Sequence, residues 1–308
     1  MRVLLIAGGW SEEREVSLKG AAQIEKALNN LGHQVFFLDL SPDLGKLAAM
    51  ARDFDLAFIN LHGLPGEDGT IQALLDDIGL PYQGTGPMGS YLALNKALSK
   101  QIFRNHHLPT PDWTLITGPN QPVPEGLEFP LVAKPNTGGS SLGMAVLENQ
   151  QDLDFYLKDI PAQKFEVILE KYITGTELTC AVLDDRPLPP ILIQPVKGSF
   201  FNYASKYDID GAKEICPAPV SPELTEQITS LSLKVHHILG LRDYSRTDFL
   251  VDPQGVPYIL EVNTLPGMTQ TSLVPKSAQA AGLDFNALIQ RLISMARDRD
   301  KRPQGRYE

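Results

Sequence analysis

The residues best suited to chemistry lie in one stretch near the end of the chain, residues 246–268, which reads RTDFLVDPQGVPYILEVNTLPGM. Two runs rich in β-branched and aromatic residues flank the turn sequence DPQG, and this pattern predicts a β-hairpin. A turn centred between Gln254 and Gly255 pairs Arg246 with Asn263 and Asp248 with Glu261. Because side chains alternate between the two faces of a strand, these four polar groups are predicted to share one face.

The opposite face of the same hairpin is predicted to be a core face, because almost all of its side chains are apolar. Its members are Thr247, Phe249, Val251, Leu260 and Val262.

The polar face suits a metal ion and a phosphoryl group. Oxygen atoms of Asp248, Glu261 and Asn263 are ligands that suit Mg²⁺, which proteins usually hold through one or two carboxylates together with substrate phosphates. Arg246 would stabilise negative charge that develops on a phosphoryl group. The alternative is a solvated hairpin face with an ordinary salt bridge. An Asn two residues after a Glu, followed at once by TLPG, favours the metal site.

The composition limits the classes of function. A chain of 308 residues predicts two or three domains. With 27 Lys and Arg against 37 Asp and Glu, the net charge of -10 argues against nucleic acid as a partner. Cys180 and Cys216 lack metal-ligand spacing and predict no disulfide framework, which fits a reducing cytoplasm. We expect neither a signal peptide nor a membrane partner, since the apolar start is short and no run could span a bilayer.

The elements that must position the hairpin begin with a βαβ pattern. Apolar runs at residues 3–7 and 35–38 flank helical spacing at residues 16–31, and a third run follows at residues 56–61. This order predicts a small parallel α/β domain whose ligands bind at the carboxyl ends of its strands. The first strand ends in Gly-Gly without a G-x-G-x-x-G fingerprint, which disfavours a nicotinamide cofactor.

Two polar loops leave the carboxyl ends of these strands. The first reads SEERE at residues 11–15, and the second reads NLHG at residues 60–63. Glu13 could anchor a substrate ammonium group, and His62 could donate or accept a hydrogen bond nearby. The alternatives are that the acidic residues complement a helix dipole and that the histidine is structural. Because both loops belong to one sheet edge, we favour a substrate site there.

A second group of anion-binding candidates follows the GTGP sequence at residues 84–87. A helix predicted from about residue 90 to 105 contains Lys96. A strand at residues 129–135 contains Lys134 and leads into NTGGSSLG, whose backbone N–H groups can surround phosphate oxygens. The alternative is a plain flexible hairpin, which leaves a lysine in mid-strand unexplained.

Three further segments have patterns that are less specific. Residues 167–173 read VILEKYI and predict a strand, and an edge strand can bind adenine through its main chain, with Glu177 available for ribose hydroxyls. Residues 197–217 form a long polar segment with embedded aromatic residues, which predicts a lid that excludes water. Ser272 and Leu273 begin a helical region whose first N–H groups and Ser hydroxyl could hold a carboxylate.

Seven motifs, taken in order, resemble those of the D-alanine–D-alanine ligases of the ATP-grasp superfamily. They are EEREVSL, LHG followed by GEDGT, the Lys134-Pro135 loop with GSSLGM, EKYITGTE, the ASKY run ending at Tyr207, SRTDF and EVNTLPGMT. The resemblance covers essentially the whole chain. It implies an α/β and α+β fold, namely a three-domain ATP-grasp fold with an N-terminal parallel-sheet domain.

The resemblance also implies the limits of three domains. Residues 1–86 would form the N-terminal α/β substrate-binding domain, and residues 87–180 the central ATP-grasp domain. Residues 181–308 would form the C-terminal ATP-grasp domain, which includes the lid loop at residues 197–217 and the metal hairpin at residues 246–263.

The resemblance implies roles at the nucleotide for residues from all parts of the cleft. Those implied for ATP are Lys96, Lys134, Ser140, Glu170, Lys171, Ile173, Glu177 and Lys206. Those implied as ligands of two Mg²⁺ ions, with Mn²⁺ as a substitute, are Asp248, Glu261 and Asn263.

The same resemblance implies the residues at the two amino acids. Glu13, with His62 beside it, would hold the ammonium group of the first D-alanine, and Ser272 with Leu273 would hold the carboxylate of the second. The residues implied in catalysis are Glu13, Ser140, Lys206, Tyr207, Arg246 and the backbone N–H at Gly267. The lid departs from the family at Phe201, where a Tyr is usual.

The activity implied is ATP-dependent ligation of two D-alanines through an acyl phosphate, for peptidoglycan precursor synthesis, by a cytoplasmic homodimer. One rival is a D-alanine–D-lactate ligase, although Tyr207 stands where lactate-type relatives tend to differ. A second rival is a nucleotide-binding ATP-grasp protein without catalytic activity, which the intact set of Arg246, Asp248, Glu261 and Asn263 disfavours.

Overall fold

The computed structural model describes residues 1–119, 121–139, 143–158, 160–161, 165–195 and 212–300. Three β-sheets lie within these residues, and helices cover them. The architecture is mixed α/β and α+β, as predicted. Within the described ranges, no helix is both long enough and apolar enough to cross a bilayer.

The N-terminal sheet is parallel and has the strand order β2-β1-β3, which confirms the predicted βαβ beginning. Side chains of β1 from residue 3 to residue 7 are fully buried, as expected for a parallel sheet covered on both faces. Its elements are β1 (Arg2–Gly8), α1 (Arg14–Asn30), β2 (Gln34–Leu40), α2 (Leu44–Ala51), β3 (Leu56–Asn60) and α3 (Thr70–Ile78).

The central sheet is antiparallel and has the order β4-β7-β5-β6. A helix packs on one face, where Leu131, Leu153 and Leu169 belong to one buried cluster. The elements from the end of the first sheet onward are α4 (Pro87–Leu94), α5 (Lys96–Asn105), β4 (Trp113–Ile116), β5 (Leu131–Pro135), β6 (Ala145–Leu147), α6 (Gln150–Lys158) and β7 (Val167–Lys171).

The C-terminal sheet has the order β11-β10-β8-β12-β13, and β9 pairs with β8. One face packs on α7 through a cluster that includes Leu178, Ile228 and Phe249. Its elements and the two last helices are β8 (Thr176–Leu183), β9 (Arg186–Pro187), β10 (Ile191–Pro195), β11 (Ala212–Ile215), α7 (Pro222–Ile238), β12 (Tyr244–Val251), β13 (Pro257–Asn263), α8 (Leu273–Ala280) and α9 (Phe285–Asp300).

The last helix, α9, completes the first sheet, which the sequence did not predict. Ile289 and Ile293 of α9 belong to the same buried cluster as Leu5 of β1. The N-terminal unit predicted at residues 1–86 is therefore covered by a helix from the far end of the chain. The predicted limit after residue 180 also falls inside β8, a strand of the C-terminal sheet.

The hairpin formed by β12 and β13 has the predicted partners at the polar positions, but its turn differs. Arg246 pairs with Asn263 and Asp248 with Glu261, as predicted. Beyond a bulge the register shifts, so that Phe249 pairs with Ile259. The turn is thus centred on residue 254, half a residue from the predicted centre, and the bulge compensates for the difference.

The bulge makes the predicted core face wrong at one position. Ile259 is fully buried in the core, whereas Leu260 is only partly buried and lines the cleft beside Glu261. One extra residue in a strand reverses the face taken by the side chains that follow it.

Candidate active site

A cleft of about 480 Å³ lies between the central and C-terminal sheets. Nine of the predicted nucleotide and metal residues fall within the described ranges, and all except Asn263 line this cleft. The eight that line it are Lys96, Lys134, Glu170, Lys171, Ile173, Glu177, Asp248 and Glu261.

The central-sheet wall of the cleft is formed by alternate residues of two paired strands. Leu131 and Ala133 of β5 are buried in the sheet core, while Lys134 of the same strand reaches the cleft. Glu170 of β7 points to the same side, and its Oε1 lies 2.9 Å from Lys134 Nζ. The predicted mid-strand lysine is therefore part of an ion pair in the wall of a cleft.

Lys96 reaches the cleft because the predicted single helix is in fact two. Asn95 has an extended backbone (ψ 99°), and its side chain accepts a hydrogen bond of 3.0 Å from Leu98 N–H as the N-cap of α5. Lys96 Nζ donates to Gly138 O at 2.5 Å and lies 3.5 Å from Glu261 Oε2. Burial lowers the pKa of Lys96, against the opposing effect of the Glu261 charge.

Lys100 is a cation of the same wall that the sequence analysis missed. Its side chain is fully buried, and its Nζ lies 3.0 Å from Glu170 Oε1. Burial lowers the pKa of Lys100 to about 8, although Glu170 opposes this shift. The spacing contained the signal, because a residue four positions after Lys96 lies on the same face of a helix.

Glu170 is thus held between two ammonium groups. Burial opposes its ionisation, but the charges of Lys100 and Lys134 outweigh burial and hold the pKa of the carboxyl below its ordinary value. Glu170 therefore stays charged inside the protein because both lysines accompany it.

The glycine-rich loop after β5 is anchored on α5. Asn136 is buried, its Oδ1 accepts from Ala97 N–H at 2.8 Å, and its carbonyl accepts from Lys96 N–H at 3.0 Å. Its amide nitrogen donates to Glu166 Oε2 at 2.7 Å. Gly138, with φ at +121°, then turns the chain in a conformation that favours glycine. These contacts fix the first half of the loop beside the two lysines at the cleft.

The adenine prediction assumed an edge strand at residues 167–173, and this assumption is wrong. Strand β7 lies between β4 and β5, so its main chain is paired on both sides. The segment after Lys171 leaves the sheet, and Ile173 lines the cleft there. Glu177 lies farther on, in β8, opposite Leu250 of β12, and also lines the cleft. Main-chain contacts to a base would therefore come from residues 172–175.

The facing wall is the polar side of the β12–β13 hairpin. Arg246 grips Asp248 with two hydrogen bonds, from Nε to Oδ1 at 2.8 Å and from Nη2 to Oδ2 at 2.6 Å. Thr179 Oγ1 donates to Asp248 Oδ1 at 2.6 Å, and Asn263 Nδ2 donates to Asp248 Oδ2 at 3.1 Å. Burial opposes the charge on Arg246, but the neighbouring Asp248 outweighs it and raises the pKa of the guanidinium.

The donor set of this wall fits a hard divalent cation. Within the described part of the chain, no group of three or more His, Cys, Asp or Glu side chains comes together for a metal, so a site here depends on the Asn263 amide as a third protein ligand. Asp248, Glu261 and Asn263 supply carboxylate and amide oxygens, the ligand types of Mg²⁺. Asn263 donates a hydrogen bond from its Nδ2 to Asp248, and metal binding would replace this hydrogen bond with contacts to the ion.

The two predicted substrate loops meet at one sheet edge. Ser11 Oγ donates to His62 O at 2.6 Å, which ties the loop after β1 to the loop after β3. His62 is buried, with its Nδ1 3.9 Å from Glu67 Oε1. Burial raises the pKa of Glu67, against the opposing effect of His62 nearby. The predicted convergence of Glu13 and His62 at this edge is therefore present in the fold.

Glu13 lies where the N-terminal sheet approaches the glycine-rich loop. It precedes α1 without capping the helix through its side chain. A Cβ added at Gly139 would lie 3.6 Å from Glu13 Oε2, and one added at Gly63 would lie 3.5 Å from the same oxygen. A small cavity nearby is shared by Glu67, Lys96 and Asn263 together with other residues. The predicted substrate residues and the hairpin wall thus adjoin one another.

The residues predicted for the second carboxylate lie at the start of α8, with Ser272 at the N-cap position and Leu273 as the first helical residue, after a compact turn. A Cβ added at Gly267 would lie 3.1 Å from Ser272 Oγ, so the two residues are in contact. Ser272 Oγ accepts from Thr269 N–H at 3.1 Å and does not cap α8. Gln270 N–H donates to Gln23 Oε1 of α1 at 2.7 Å, which joins this turn to the N-terminal sheet.

Several predicted residues lie outside the described ranges. They are Ser140, Phe201, Lys206 and Tyr207, together with most of the predicted lid at residues 197–217.

The sequence and the fold both resemble known proteins. The family model "D-ala D-ala ligase C-terminus" matches residues 102–294. A protein from Desulfovibrio desulfuricans named D-alanine--D-alanine ligase is 53% identical over 296 residues, which cover 96% of this chain and 97% of that protein.

Two solved structures have the same fold. A D-alanine--D-alanine ligase from Bacillus anthracis matches with a TM-score of 0.88 and 37% identity, over 98% of this chain and 99% of that one. The B. anthracis ligase complexed with ATP matches with a TM-score of 0.86 and 34% identity, with the same coverage.

Proposed function

Because the chain belongs to the D-alanine–D-alanine ligase family, we propose that it joins two D-alanines to D-alanyl-D-alanine at the expense of ATP, releasing ADP and phosphate. The three-domain ATP-grasp fold of the family accounts for its architecture. The observation that supports this function most directly is the cleft itself, in which Lys96 and Lys134 face Asp248 and Glu261. The product serves peptidoglycan precursor synthesis, as is standard for this family.

ATP lies in the cleft between the central and C-terminal sheets. Lys96 and Lys134 bind its phosphates, as their charge and their position on the central wall suggest. The segment that leaves β7 after Glu170 and Lys171 receives the adenine, with Ile173 in the main-chain contact, and Glu177 accepts hydrogen bonds from the ribose hydroxyls. Ser140 and Lys206 complete the phosphate contacts.

The metal ligands are Asp248, Glu261 and Asn263, for two Mg²⁺ ions or for Mn²⁺ in their place. When bound, these ions would neutralise the phosphate charge and so favour phosphoryl transfer. Arg246 already neutralises Asp248 and keeps it oriented toward the cleft.

The first step activates the first D-alanine. Glu13, with His62 beside it, holds the ammonium group, so that the carboxylate points toward the γ-phosphate. A carboxylate oxygen attacks the γ-phosphorus, the bond to the bridging oxygen breaks, and ADP leaves. The product is D-alanyl phosphate, an acyl phosphate. Arg246 stabilises the charge on the phosphoryl group during transfer.

The second step forms the peptide. Ser272 and Leu273 hold the carboxylate of the second D-alanine, whose neutral amine attacks the acyl carbon. Arg246 and the Gly267 backbone N–H stabilise the oxyanion, and phosphate leaves. The amine loses a proton when the bond forms. Ser140 and Tyr207 hydrogen-bond with Glu13 to close the lid at residues 197–217, which keeps water from the acyl phosphate.

The assembly and the domains follow the family pattern. The protein is a cytoplasmic homodimer whose partners are ATP and D-alanine, with neither nucleic acid nor membrane among them. The net charge of -10 supports the absence of nucleic acid. Its three domains are those predicted at residues 1–86, 87–180 and 181–308, with the second limit moved to residue 175, so that β8 stays in one sheet.

The test is ADP formation by the purified protein with ATP and Mg²⁺. It is run with D-alanine, with L-alanine, and with D-alanine plus D-lactate across a range of pH, and the products are identified by mass spectrometry. We expect D-alanine alone to support ADP release and D-alanyl-D-alanine formation. Dominant D-alanyl-D-lactate would instead indicate the ester-forming ligase, and no D-alanine-dependent ADP would indicate the non-catalytic nucleotide-binding protein.

A further inference from the structure

We propose that Lys100, on α5, is a positioning residue for ATP. It holds the Glu170 carboxylate in place and neutralises it, so that Lys134 is free to turn from Glu170 to a phosphate oxygen. This role rests on the proposed function, because it assigns the cleft to ATP.

The first observation is that a single oxygen serves two cations. Glu170 Oε1 lies 2.9 Å from Lys134 Nζ and 3.0 Å from Lys100 Nζ. The two lysines differ in exposure, since Lys134 is partly open to the cleft at 8%, whereas Lys100 is fully buried. Lys134 lines the cleft and can reach a ligand, whereas Lys100 is not among the residues that line it.

The second observation is the burial of Glu170, which is only 2% exposed. A buried carboxylate that loses its only cation is strongly destabilised. With Lys134 as its sole partner, Glu170 would therefore hold that lysine back from a phosphate. Lys100 removes this conflict, because the carboxylate keeps one cation when Lys134 moves.

The third observation is that Lys100 is held by Thr110 and by a carbonyl of the hairpin. Its Nζ donates to Thr110 Oγ1 at 2.7 Å and lies 3.4 Å from Ile259 O of β13, to which Thr110 Oγ1 also donates at 2.8 Å. Ile259 precedes the bulged Leu260 of the hairpin. Lys100 thus joins Glu170 of the central sheet to the strand that presents the hairpin ligands.

The experiment measures the ATP dissociation constant by calorimetry for the wild type, Lys100→Met and the exposed control Lys158→Met on α6. We expect Lys100→Met to weaken the affinity for ATP by at least about tenfold. Lys158→Met should change this affinity by less than about twofold. In steady state, KM for ATP should rise while KM for D-alanine stays constant. Unchanged ATP affinity in Lys100→Met, or an equal rise in both KM values, would overturn the proposal.

A second arm guards against misfolding of Lys100→Met. The Glu170→Gln background removes the charge that Lys100 neutralises, so adding Lys100→Met there should alter ATP affinity by less than about twofold. A tenfold loss in that background would contradict the role through Glu170. Because ATP affinity is measured directly, the result does not depend on ligase activity. A wild type that binds ATP without D-alanine-dependent ADP formation would refute the proposed function alone.

Discussion

The two walls of the cleft between the central and C-terminal sheets differ in charge and in how the chain builds them. The central wall is rich in ammonium groups: Lys134 and the buried Lys100 both contact Glu170, and Lys96 lies 3.5 Å from Glu261 of the hairpin wall. The hairpin wall presents carboxylate and amide oxygens around Arg246. A triphosphate with its metal ions needs both, because lysines bind phosphate oxygens directly whereas acids bind them through a cation.

The walls also differ in the range of the contacts that form them. The four polar residues of the hairpin wall come from two adjacent strands, paired within one short segment. The central wall combines α5 with β5 and β7, which are separated by long stretches of chain. Because the two walls also carry different charged groups, loss of a charge on the hairpin wall should affect the metal-dependent steps. Loss of a charge on the central wall should affect the affinity for the nucleotide.

The largest effect is expected from Glu261→Gln on the hairpin wall. The substitution keeps the shape of the side chain but removes the charge of a proposed metal ligand, so D-alanine-dependent ADP release should fall by about a thousandfold. The exposed residue Glu226 on α7 provides the control, as Glu226→Gln should retain full activity. Near-normal turnover of Glu261→Gln would contradict the proposal that Glu261 is a metal ligand.

Lys134→Met tests the central wall. Loss of the ammonium group removes a phosphate contact and leaves Glu170 with Lys100 alone, so KM for ATP should rise by about a hundredfold. KM for D-alanine should change little, because Glu13 and not Lys134 is placed at the amino acid. A rise confined to KM for D-alanine would place Lys134 outside the ATP site.

Acidification tests the support behind the hairpin wall. His236 Nδ1 lies 2.8 Å from Ser245 Oγ, next to Arg246, and burial lowers the pKa of His236 to about 4, against the opposing charge of Asp185. In the unfolded chain the His236 imidazole therefore binds a proton below about pH 6.5, whereas in the folded chain it does so only below about pH 4. Stability present above pH 6.5 is lost as the pH falls through this window.

The measurement is the free energy of unfolding at pH 7 and pH 5 in denaturant. The His236 contribution should lower it by about 2 kcal/mol at pH 5, and His236→Gln should lack this part of the loss. Exposed His237 on the same helix is the matched position, and His237→Gln should keep the full loss. Equal acid sensitivity of wild type and His236→Gln would refute the assignment.

The smallest effect is expected from Thr179→Val. This change removes the 2.6 Å hydrogen bond to Asp248 Oδ1 but leaves both Arg246 bonds. We expect kcat/KM to fall by about tenfold, with a higher Mg²⁺ requirement. Thr225→Val on α7 removes a hydroxyl that contacts only helix backbone and serves as the control. An unchanged Mg²⁺ requirement would separate Thr179 from the metal site.

The same contrast explains what the sequence could predict. The hairpin face was predictable because strand alternation and a nearby turn decide which side chains share a face. Even so, the bulge at Leu260 was not predicted, since no residue type marks it. The pairs at Asp248 and Arg246 are correct because the bulge compensates for the misplaced turn centre.

The central wall was predicted less well because tertiary contacts decide it. Asn95 breaks the predicted helix where its cap and the contacts of Asn136 favour a new start. Lysine is a residue type that usually lies on the surface. Lys100 can be buried because its ammonium group contacts Glu170 and Thr110. The packing of α9 on the first sheet likewise depends on contacts between distant parts of the chain.

The most direct test of the two-wall account is ATP affinity with and without Mg²⁺ for the wild type, Glu261→Gln and Lys134→Met. The account predicts that Glu261→Gln binds metal-free ATP like the wild type but loses the gain that Mg²⁺ provides. Lys134→Met should bind more weakly under both conditions and retain that gain. If Glu261→Gln kept the full Mg²⁺-dependent gain, or if both variants lost affinity identically, the division of labour between the walls would be contradicted.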